Sequence, residues 1–385
     1  MKISKRSQAV EHSLSRELFN RAKEYNNVID LTLGDPDLKP NKGVQEAACA
    51  AIRNGQTNYS ANAGLYLLRK AIADCVEKEY SISVNPSSEV IATVGGMEAL
   101  FLSLSCLIDE GDEVIVFAPY YVNYIQMIRM CGGIPVIVET EETNGFQFTK
   151  EQLDNSITDK TIAIILNSPC NPTGQTVSPD NLDYIAKVAN NKDITIISDE
   201  VYRTLIYDNY YHDSIITREG LKKRTVLIDS MSKRFSMTGY RLGYAIAPKE
   251  LIENMTKMQE NVAACAPLPS QYAGIFAYSE LLEDDSVLKE FSVRRNYMLN
   301  AINSIDGLSC LETGATFYLF VNISKTGMNC LDFANKLLEE QQVAVVPGIT
   351  YGRKYIDYVR IAYTVNVDRL IEAVYRIKEF MKHFI

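Results

Sequence analysis

One lysine of this 385-residue chain lies in a segment whose residue types favour covalent chemistry. The segment 230–243 reads SMSKRFSMTGYRLG and contains Lys233. A lysine reacts as a nucleophile in its neutral form, so burial or nearby cations must lower its pKa. Arg234 and Arg241 are close to it in sequence. The segment therefore predicts a Schiff-base lysine, and the alternative is a surface lysine in a serine-rich loop.

A carboxylate follows the predicted strand 194–198. The chain continues there with Asp-Glu-Val-Tyr, in which Asp199 and Tyr202 are the candidate functional residues. A carboxylate at a strand end can pair with a protonated pyridine nitrogen and keep such a ring electron-poor, while a phenol can donate to a ring oxygen. The alternative is a pair of ordinary loop residues, since this motif is short.

A rigid turn follows the predicted strand 161–167. The sequence NSPCNPTG begins at Asn167, and its two prolines and its glycine restrict the backbone. The side-chain amide of Asn171 in this turn can donate a hydrogen bond to an oxygen on the same kind of pyridine ring. A simple structural turn explains the same residues equally well.

Residues able to bind a phosphate occur at two places. The pair Gly95–Gly96 and Met97 open a predicted helix, whose first N–H groups bind phosphate without a side chain. The hydroxyls of Ser230 and Ser232 and the bidentate guanidinium of Arg241 can bind the remaining phosphate oxygens. A glycine pair alone is more often structural.

The three segments NPTG, DExY and SxSK occur in the order typical of one family. The chain resembles the fold-type I pyridoxal-phosphate (PLP) aminotransferases of class I/II, closest to the bacterial aspartate aminotransferase-like branch. The resemblance runs from LTLGDPD near the start to VRIAYT near the end. It implies transfer of an amino group between an amino acid and a 2-oxo acid in two half-reactions, with Lys233 as the Schiff-base lysine that moves the α-proton. The alternative is a PLP-dependent lyase on the same fold, either a C–S lyase or one like aminocyclopropane-carboxylate synthase.

The resemblance also implies roles for residues outside those three segments. Tyr121 would stack on the cofactor ring, and Tyr59 would reach the active site of a neighbouring subunit in a homodimer. Arg360, within an apolar strand, would bind the substrate α-carboxylate, because a buried guanidinium needs a partner. Gly34 would lie opposite, where its bare backbone lets the substrate approach closely. Tyr121 and Asn171 would contact the substrate as well.

One position departs from the family pattern. Aspartate-specific members of the branch commonly have a lysine after the glycine pair, where this chain has the neutral Met97. Lys39 is a candidate substitute cation. We therefore expect that aspartate is not the clearly preferred donor, and the sequence does not identify which donor is.

Strands and helices alternate through the middle of the chain, which predicts an α/β fold with a mostly parallel, seven-strand-type sheet and helices on both faces. The candidate residues follow the carboxyl ends of these strands, where open α/β sheets bind ligands. The predicted strands are residues 90–94, 114–118, 135–139, 161–167, 194–198, 226–229 and 242–247. The predicted helices of this part are 99–108, 120–131 and one that begins at Ser178.

A different pattern follows the central sheet. A long helix at 287–305, strands at 317–323, 343–346 and 359–362, a helix at 332–340 and a terminal helix from Asp368 predict a smaller α+β domain. We expect three parts: an N-terminal segment (1–45), whose helix 14–24 packs on the small domain; a large PLP-binding domain (46–278); and the small C-terminal domain (279–385).

Composition narrows the class of protein. The net charge of −9 argues against nucleic-acid and anionic-membrane partners. We find neither a signal peptide nor an apolar run long enough to span a membrane. Eight scattered cysteines favour a cytoplasmic protein with reduced thiols. The three histidines, His12, His212 and His383, are far apart and give no support to a metal site.

Overall fold

A computed structural model describes residues 2–11 and 14–384 of the chain. The helices of these residues are, in chain order, α1 (Lys5–Gln8), α2 (Leu14–Ala22), α3 (Lys42–Arg53), α4 (Tyr66–Tyr80), α5 (Gly95–Leu107), α6 (Asn123–Met130), α7 (Lys150–Ser156), α8 (Pro179–Lys192), α9 (Met231–Arg234), α10 (Lys249–Val262), α11 (Leu268–Glu280), α12 (Ser286–Asn303), α13 (Cys330–Gln341) and α14 (Val367–Met381). The strands are β1 (Ile29–Asp30), β2 (Val90–Thr93), β3 (Glu113–Ala118), β4 (Ile134–Glu139), β5 (Thr161–Asn167), β6 (Thr195–Asp199), β7 (Thr225–Ser230), β8 (Gly243–Ile246), β9 (Tyr318–Asn322), β10 (Val343–Ala344), β11 (Val346–Pro347) and β12 (Tyr358–Ala362).

The central sheet has seven strands in the order β2-β8-β7-β6-β5-β3-β4. Only β8 pairs antiparallel to its neighbours, β2 and β7, and the other pairings within this sheet are parallel. Successive strand residues face opposite helix layers, as the two-residue period of a strand requires. Ile164 and Ile196 pack with α7 and α8, whereas Ile165 and Ile197 pack with α5, α6 and α10. The predicted fold class is confirmed.

Three adjacent parallel strands end side by side at one edge of this sheet. β5 ends at Asn167, β6 at Asp199 and β7 at Ser230, and Asn167 is paired with Asp199 in the register. The strand residues before these ends are mostly apolar, largely β-branched and buried. The polar residues that follow are therefore held together at the carboxyl edge of the sheet.

The C-terminal part contains a second layer of structure. Strands β11, β12 and β9 form an antiparallel sheet, and β1 pairs with β10 in parallel. Residues of α12, α13 and α14 share one apolar cluster with this sheet, and Leu18 and Ala22 of α2 pack with Leu338 and Ala344. The three-part division at residues 45 and 278 remains a prediction.

The sequence pattern was wrong about one strand and about the ends of several helices. The predicted strand 343–346 is two short strands, because β10 pairs with β1 while β11 pairs with β12. The predicted helix 120–131 begins only at Asn123, and the Tyr120 N–H before it donates to the distant Tyr351 carbonyl (3.0 Å). None of the described helices is both long enough and apolar enough to cross a membrane.

Candidate active site

A cavity of about 430 Å³ lies at the carboxyl edge of the central sheet. It brings together most of the site residues predicted from the sequence, namely Gly34, Gly96, Met97, Tyr121, Asn171, Asp199, Tyr202, Ser230, Ser232, Lys233, Arg241 and Arg360. Two predicted residues do not line it: Gly95, which is beside it in the chain, and Tyr59, whose surface is 87% exposed.

Lys233 enters the cavity from the short helix α9. Its Nζ donates to the Gly34 carbonyl oxygen at 2.5 Å. The pKa of Lys233 is lowered to about 8, chiefly by burial; Asp35 opposes this shift, and Arg241 and Arg360 contribute to it. A substantial fraction of this amine is therefore neutral near pH 8, as covalent chemistry requires.

Arg234 is next to Lys233 in the sequence, but its side chain pairs with other residues. It does not face Lys233 but pairs with Glu79 at 2.8 Å, and Glu79 also pairs with the buried Arg203. Arg203 in turn donates to Asp229 at 2.7 Å. This ion network ties α4 and α9 to the ends of β6 and β7, and so holds the lysine segment in place.

Asp199 is almost fully buried at the end of β6, with 8% of its surface exposed. The Tyr124 hydroxyl donates to its Oδ2 at 2.6 Å. Burial raises the pKa of Asp199 to about 6, while the hydrogen bond from Tyr124 favours the ionised form. Sequence reasoning missed Tyr124, although the predicted helix 120–131 would have placed it on the same face as Tyr121, three residues earlier; in the structure only Tyr124 is helical.

Backbone groups form one wall of the cavity. The helix α5 begins at Gly95, whose φ of 76° favours glycine. A Cβ at Gly95 would lie 2.6 Å from Arg241 Nη2, and a Cβ at Gly243 would lie 2.4 Å from the Gly96 nitrogen. Glycine at these positions lets the strand, the helix start and the guanidinium approach one another closely.

The two serines of the lysine segment lie next to this wall. The Ser230 hydroxyl caps α9 by accepting from the Ser232 N–H at 3.1 Å, and it donates to the Ser232 hydroxyl at 2.8 Å. Both side chains are buried at the cavity. Two hydroxyls, an arginine and the first N–H groups of a helix give this wall the groups that bind anions in proteins.

Neutral side chains form a second wall. The Asn123 amide donates to the Tyr121 hydroxyl at 2.9 Å, and both groups lie near Met97 Sδ, at 3.5 and 3.6 Å respectively. A thioether accepts hydrogen bonds only weakly. This wall carries no cation.

Arg360, on β12, is buried among polar and aromatic groups. It donates to Asn171 Oδ1 at 3.1 Å and to the Thr32 carbonyl oxygen. Its guanidinium carbon lies 4.4 Å from the centre of the Tyr318 ring and 5.3 Å from that of Tyr351. Its Nε has no hydrogen-bond partner, so one face of the fork remains available to an anion.

Tyr318 joins several of the predicted residues, although no sequence pattern identified it. Its hydroxyl lies 2.9 Å from that of Tyr202. A Cβ at Gly34 would lie 1.8 Å from the Tyr318 hydroxyl, so only glycine fits at position 34. Tyr318 and Tyr351 belong to segments far in sequence from the lysine segment, and tertiary packing brings them to the cavity.

Lys39, the candidate substitute cation, lies elsewhere. It lines a separate cavity of about 90 Å³ together with Arg234 and Asp284. Among the residues that the structure describes, the lysine and arginine side chains lining the main cavity are Lys233, Arg241 and Arg360.

The cavity residues fit pyridoxal phosphate. The wall built around glycines suits a phosphate, the buried Asp199 suits a protonated ring nitrogen, and Lys233 with its lowered pKa suits an aldehyde. In residues 2–11 and 14–384, no group of three or more His, Cys, Asp or Glu side chains could hold a metal ion. His12 lies outside the described residues.

Comparison with known proteins agrees with this chemistry. The family model "Aminotransferase class I and II" matches residues 26–377. A putative aminotransferase of Bacillus subtilis (strain 168), YugH, is 38% identical, covering 97% of each chain, and an aspartate aminotransferase of Pyrococcus abyssi is 37% identical, covering 99% of each. The crystal structure of an aromatic aminotransferase from Pyrococcus horikoshii OT3 matches with a TM-score of 0.90 at 36% identity, covering 95% of this chain and 99% of that one.

These similarities extend over nearly the whole chain, and they favour amino transfer over the lyase alternative. The chain belongs to the class I and II aminotransferases, enzymes that use pyridoxal 5'-phosphate to move an amino group between amino acids and 2-oxo acids.

Proposed function

We propose that Lys233 is the covalent attachment point of the cofactor and the group that moves the α-proton in both half-reactions. The observation that carries this proposal is one half-buried lysine with a lowered pKa, in a cavity it shares with a buried carboxyl group and a buried arginine. A neutral amine can attack an aldehyde and later accept a proton. Lys233 thus acts as nucleophile, base and acid in turn.

Bound PLP supplies an electron sink for the pair of electrons left at the substrate α-carbon. Asp199 would keep the ring nitrogen protonated through an ion pair, and Tyr124, which donates to Asp199, would orient that carboxylate. Asn171 and Tyr202 donate to the ring oxygen. The Oδ1 of Asn171 already accepts from Arg360, which leaves its NH₂ group free to donate.

The remaining cofactor contacts follow from the two walls. Tyr121, which lines the cavity, would pack against the cofactor ring. The phosphate is held by two groups of residues: the backbone of Gly95, Gly96 and Met97 at the start of α5, and the side chains of Ser230, Ser232 and Arg241.

The substrate α-carboxylate binds Arg360, whose Nε is free to complete a bidentate pair. Gly34, Tyr121 and Asn171 complete the substrate contacts, and the Gly34 carbonyl, which accepts from Lys233, brings this backbone next to the reacting amine.

Donor choice follows from the charges around the cavity. Each of its three cations has a role in the steps above, and Met97 is neutral. A second substrate carboxylate would be left without a cation at a cost in binding free energy. We therefore propose that at least one neutral amino acid reacts about as well as aspartate.

A panel of amino acids added singly to the PLP enzyme tests activity and donor choice together. Each reactive donor should convert the cofactor to its amine form with one equivalent of 2-oxo acid and no ammonia; stoichiometric ammonia would indicate a lyase. The panel gives kcat/KM for aspartate, glutamate, alanine, methionine, phenylalanine and tyrosine. An advantage of aspartate over every neutral donor of about a hundredfold, or ~3 kcal/mol, would contradict the donor proposal.

We also propose a cytoplasmic homodimer in which Tyr59 contacts the cofactor phosphate of the partner subunit. Family members are typically dimers. Tyr59 is far more exposed than a tyrosine usually is, and Ile52, Tyr66 and Leu67 are exposed as well, as a subunit contact would require. Free cysteines are in keeping with the cytoplasm.

Hybrid dimers test the shared site. An inactive Lys233→Ala subunit mixed with a Tyr59→Ala subunit should give hybrids that are more active at low PLP concentration than either homodimer, because one of the two sites in the hybrid then carries neither substitution. Proven subunit exchange without recovery would contradict a shared site.

A further inference from the structure

Asp35 is a carboxylate of the main cavity to which the steps above give no role. It lies on the loop after Gly34, lines the cavity and is exposed at its mouth. The Thr238 hydroxyl donates to its Oδ1 at 2.7 Å. No ion pair among the described residues includes Asp35, whereas Asp37 on the same loop pairs with Arg294 at 2.8 Å.

The position of Asp35 is close to where an amino acid would bind. The preceding residue, Gly34, accepts a hydrogen bond from Lys233. The charge of Asp35 also acts on Lys233, whose pKa it raises against the stronger effect of burial. An amino acid held between Arg360 and Lys233 therefore has this carboxylate within electrostatic range.

A negative charge at this position distinguishes substrates by the charge of their side chains. A second substrate carboxylate is repelled by Asp35, and the neutral wall at Met97 offers it no compensating cation. A neutral side chain meets no such repulsion, and a basic one is attracted. Because Asp35 is exposed, solvent screens the effect and makes it modest.

We propose that Asp35 is a specificity-determining residue that disfavours amino acids with an acidic side chain. The inference rests on the proposed function, since it assumes that the α-carboxylate binds Arg360 and that the α-carbon lies at Lys233.

Binding of unreactive analogues tests the inference without turnover. Maleate has two carboxylates and 3-phenylpropionate has one, and their dissociation constants follow from titration calorimetry on the PLP enzyme. Asp35→Asn should lower the dissociation constant of maleate relative to that of 3-phenylpropionate by about two- to fivefold. This change should be smaller at high salt. Asp35→Glu should keep the ratio of the unsubstituted enzyme, because it keeps the charge.

Asp37→Asn is the matched control, since it removes a carboxylate from the same loop but outside the cavity lining; it should leave the ratio unchanged. Equal effects of Asp35→Asn on both analogues, or weaker binding of maleate relative to 3-phenylpropionate, would overturn the inference. Failure of both analogues to bind the unsubstituted enzyme would instead contradict the proposed function.

Discussion

The two ends of the cavity are built in different ways. At the cofactor end, Asp199 and Ser230 close neighbouring strands, and their side chains already have hydrogen-bond partners within the protein. At the substrate end, Arg360 on β12 meets Tyr318 on β9 and the Gly34 loop, and its Nε has no partner. The first arrangement suits a group that stays bound. The second suits a carboxylate that binds and leaves in every cycle.

Asp199→Asn should cause the largest loss, because it acts at the cofactor end. Removing one partner of a buried ion pair costs about 3–5 kcal/mol. We therefore expect the rate constant of the amino-donor half-reaction to fall roughly 10²- to 10⁴-fold. Stopped-flow absorbance of the cofactor with saturating amino acid measures it, and a loss below about tenfold would contradict the role of Asp199.

The same variant has a stability signature that separates a chemical role from misfolding. Burial raises the pKa of Asp199 to about 6 from an ordinary 3.8, so the fold disfavours the ionised carboxyl. This destabilisation is complete above pH 6 and disappears below about pH 4. Cofactor-free Asp199→Asn should therefore have a higher Tm than the unsubstituted protein at pH 8, with a difference that shrinks as the pH falls. A lower Tm at pH 8 would indicate damage to the fold.

Arg360→Lys should cause a smaller loss, confined to the substrate end. Lysine keeps the charge but loses the bidentate geometry, and a hydrogen bond to a charged group contributes about 1.5–3 kcal/mol. We expect KM to rise about 10- to 100-fold for every amino acid, with unchanged affinity for PLP. Arg376→Lys, on α14 and outside the cavity lining, is the control and should change neither quantity. An equal loss of PLP affinity in Arg360→Lys would contradict the separation of the two ends.

The smallest effect is the pH dependence of cofactor capture. Burial lowers the pKa of Lys233 to about 8, and only the neutral amine attacks the aldehyde. The rate of PLP capture by the cofactor-free protein should rise about tenfold between pH 7 and 9 and then level off. Stopped-flow absorbance measures it. A rate that still rises steeply above pH 9 would indicate a lysine with an ordinary pKa.

Most residues of the cofactor end were predictable from the sequence, whereas the substrate end was predictable only in part: Arg360 and Gly34 were expected there, and two tyrosines were not. Asp199, Asn171 and Lys233 follow strand patterns or lie in a recognisable segment, so local sequence identified them together with the central sheet. Tyr318 and Tyr351 reach the cavity through packing of the small sheet, which no local pattern reports. The division of residues 343–346 between two sheets was missed for the same reason, because each half is fixed by a distant partner.

Arg234 illustrates a second limit. Its place beside Lys233 in the sequence suggested an effect on the lysine, but α9 directs its side chain toward Glu79. Proximity along the chain did not give proximity in space.

Chemical labelling of the attachment site tests the central claim most directly. Borohydride reduces the bond between PLP and the lysine that holds it, and proteolysis followed by mass spectrometry then locates the modified residue. We predict one labelled lysine, Lys233, and no label at that site in Lys233→Ala. Label on another lysine in the unsubstituted enzyme, such as Lys39, would contradict the account.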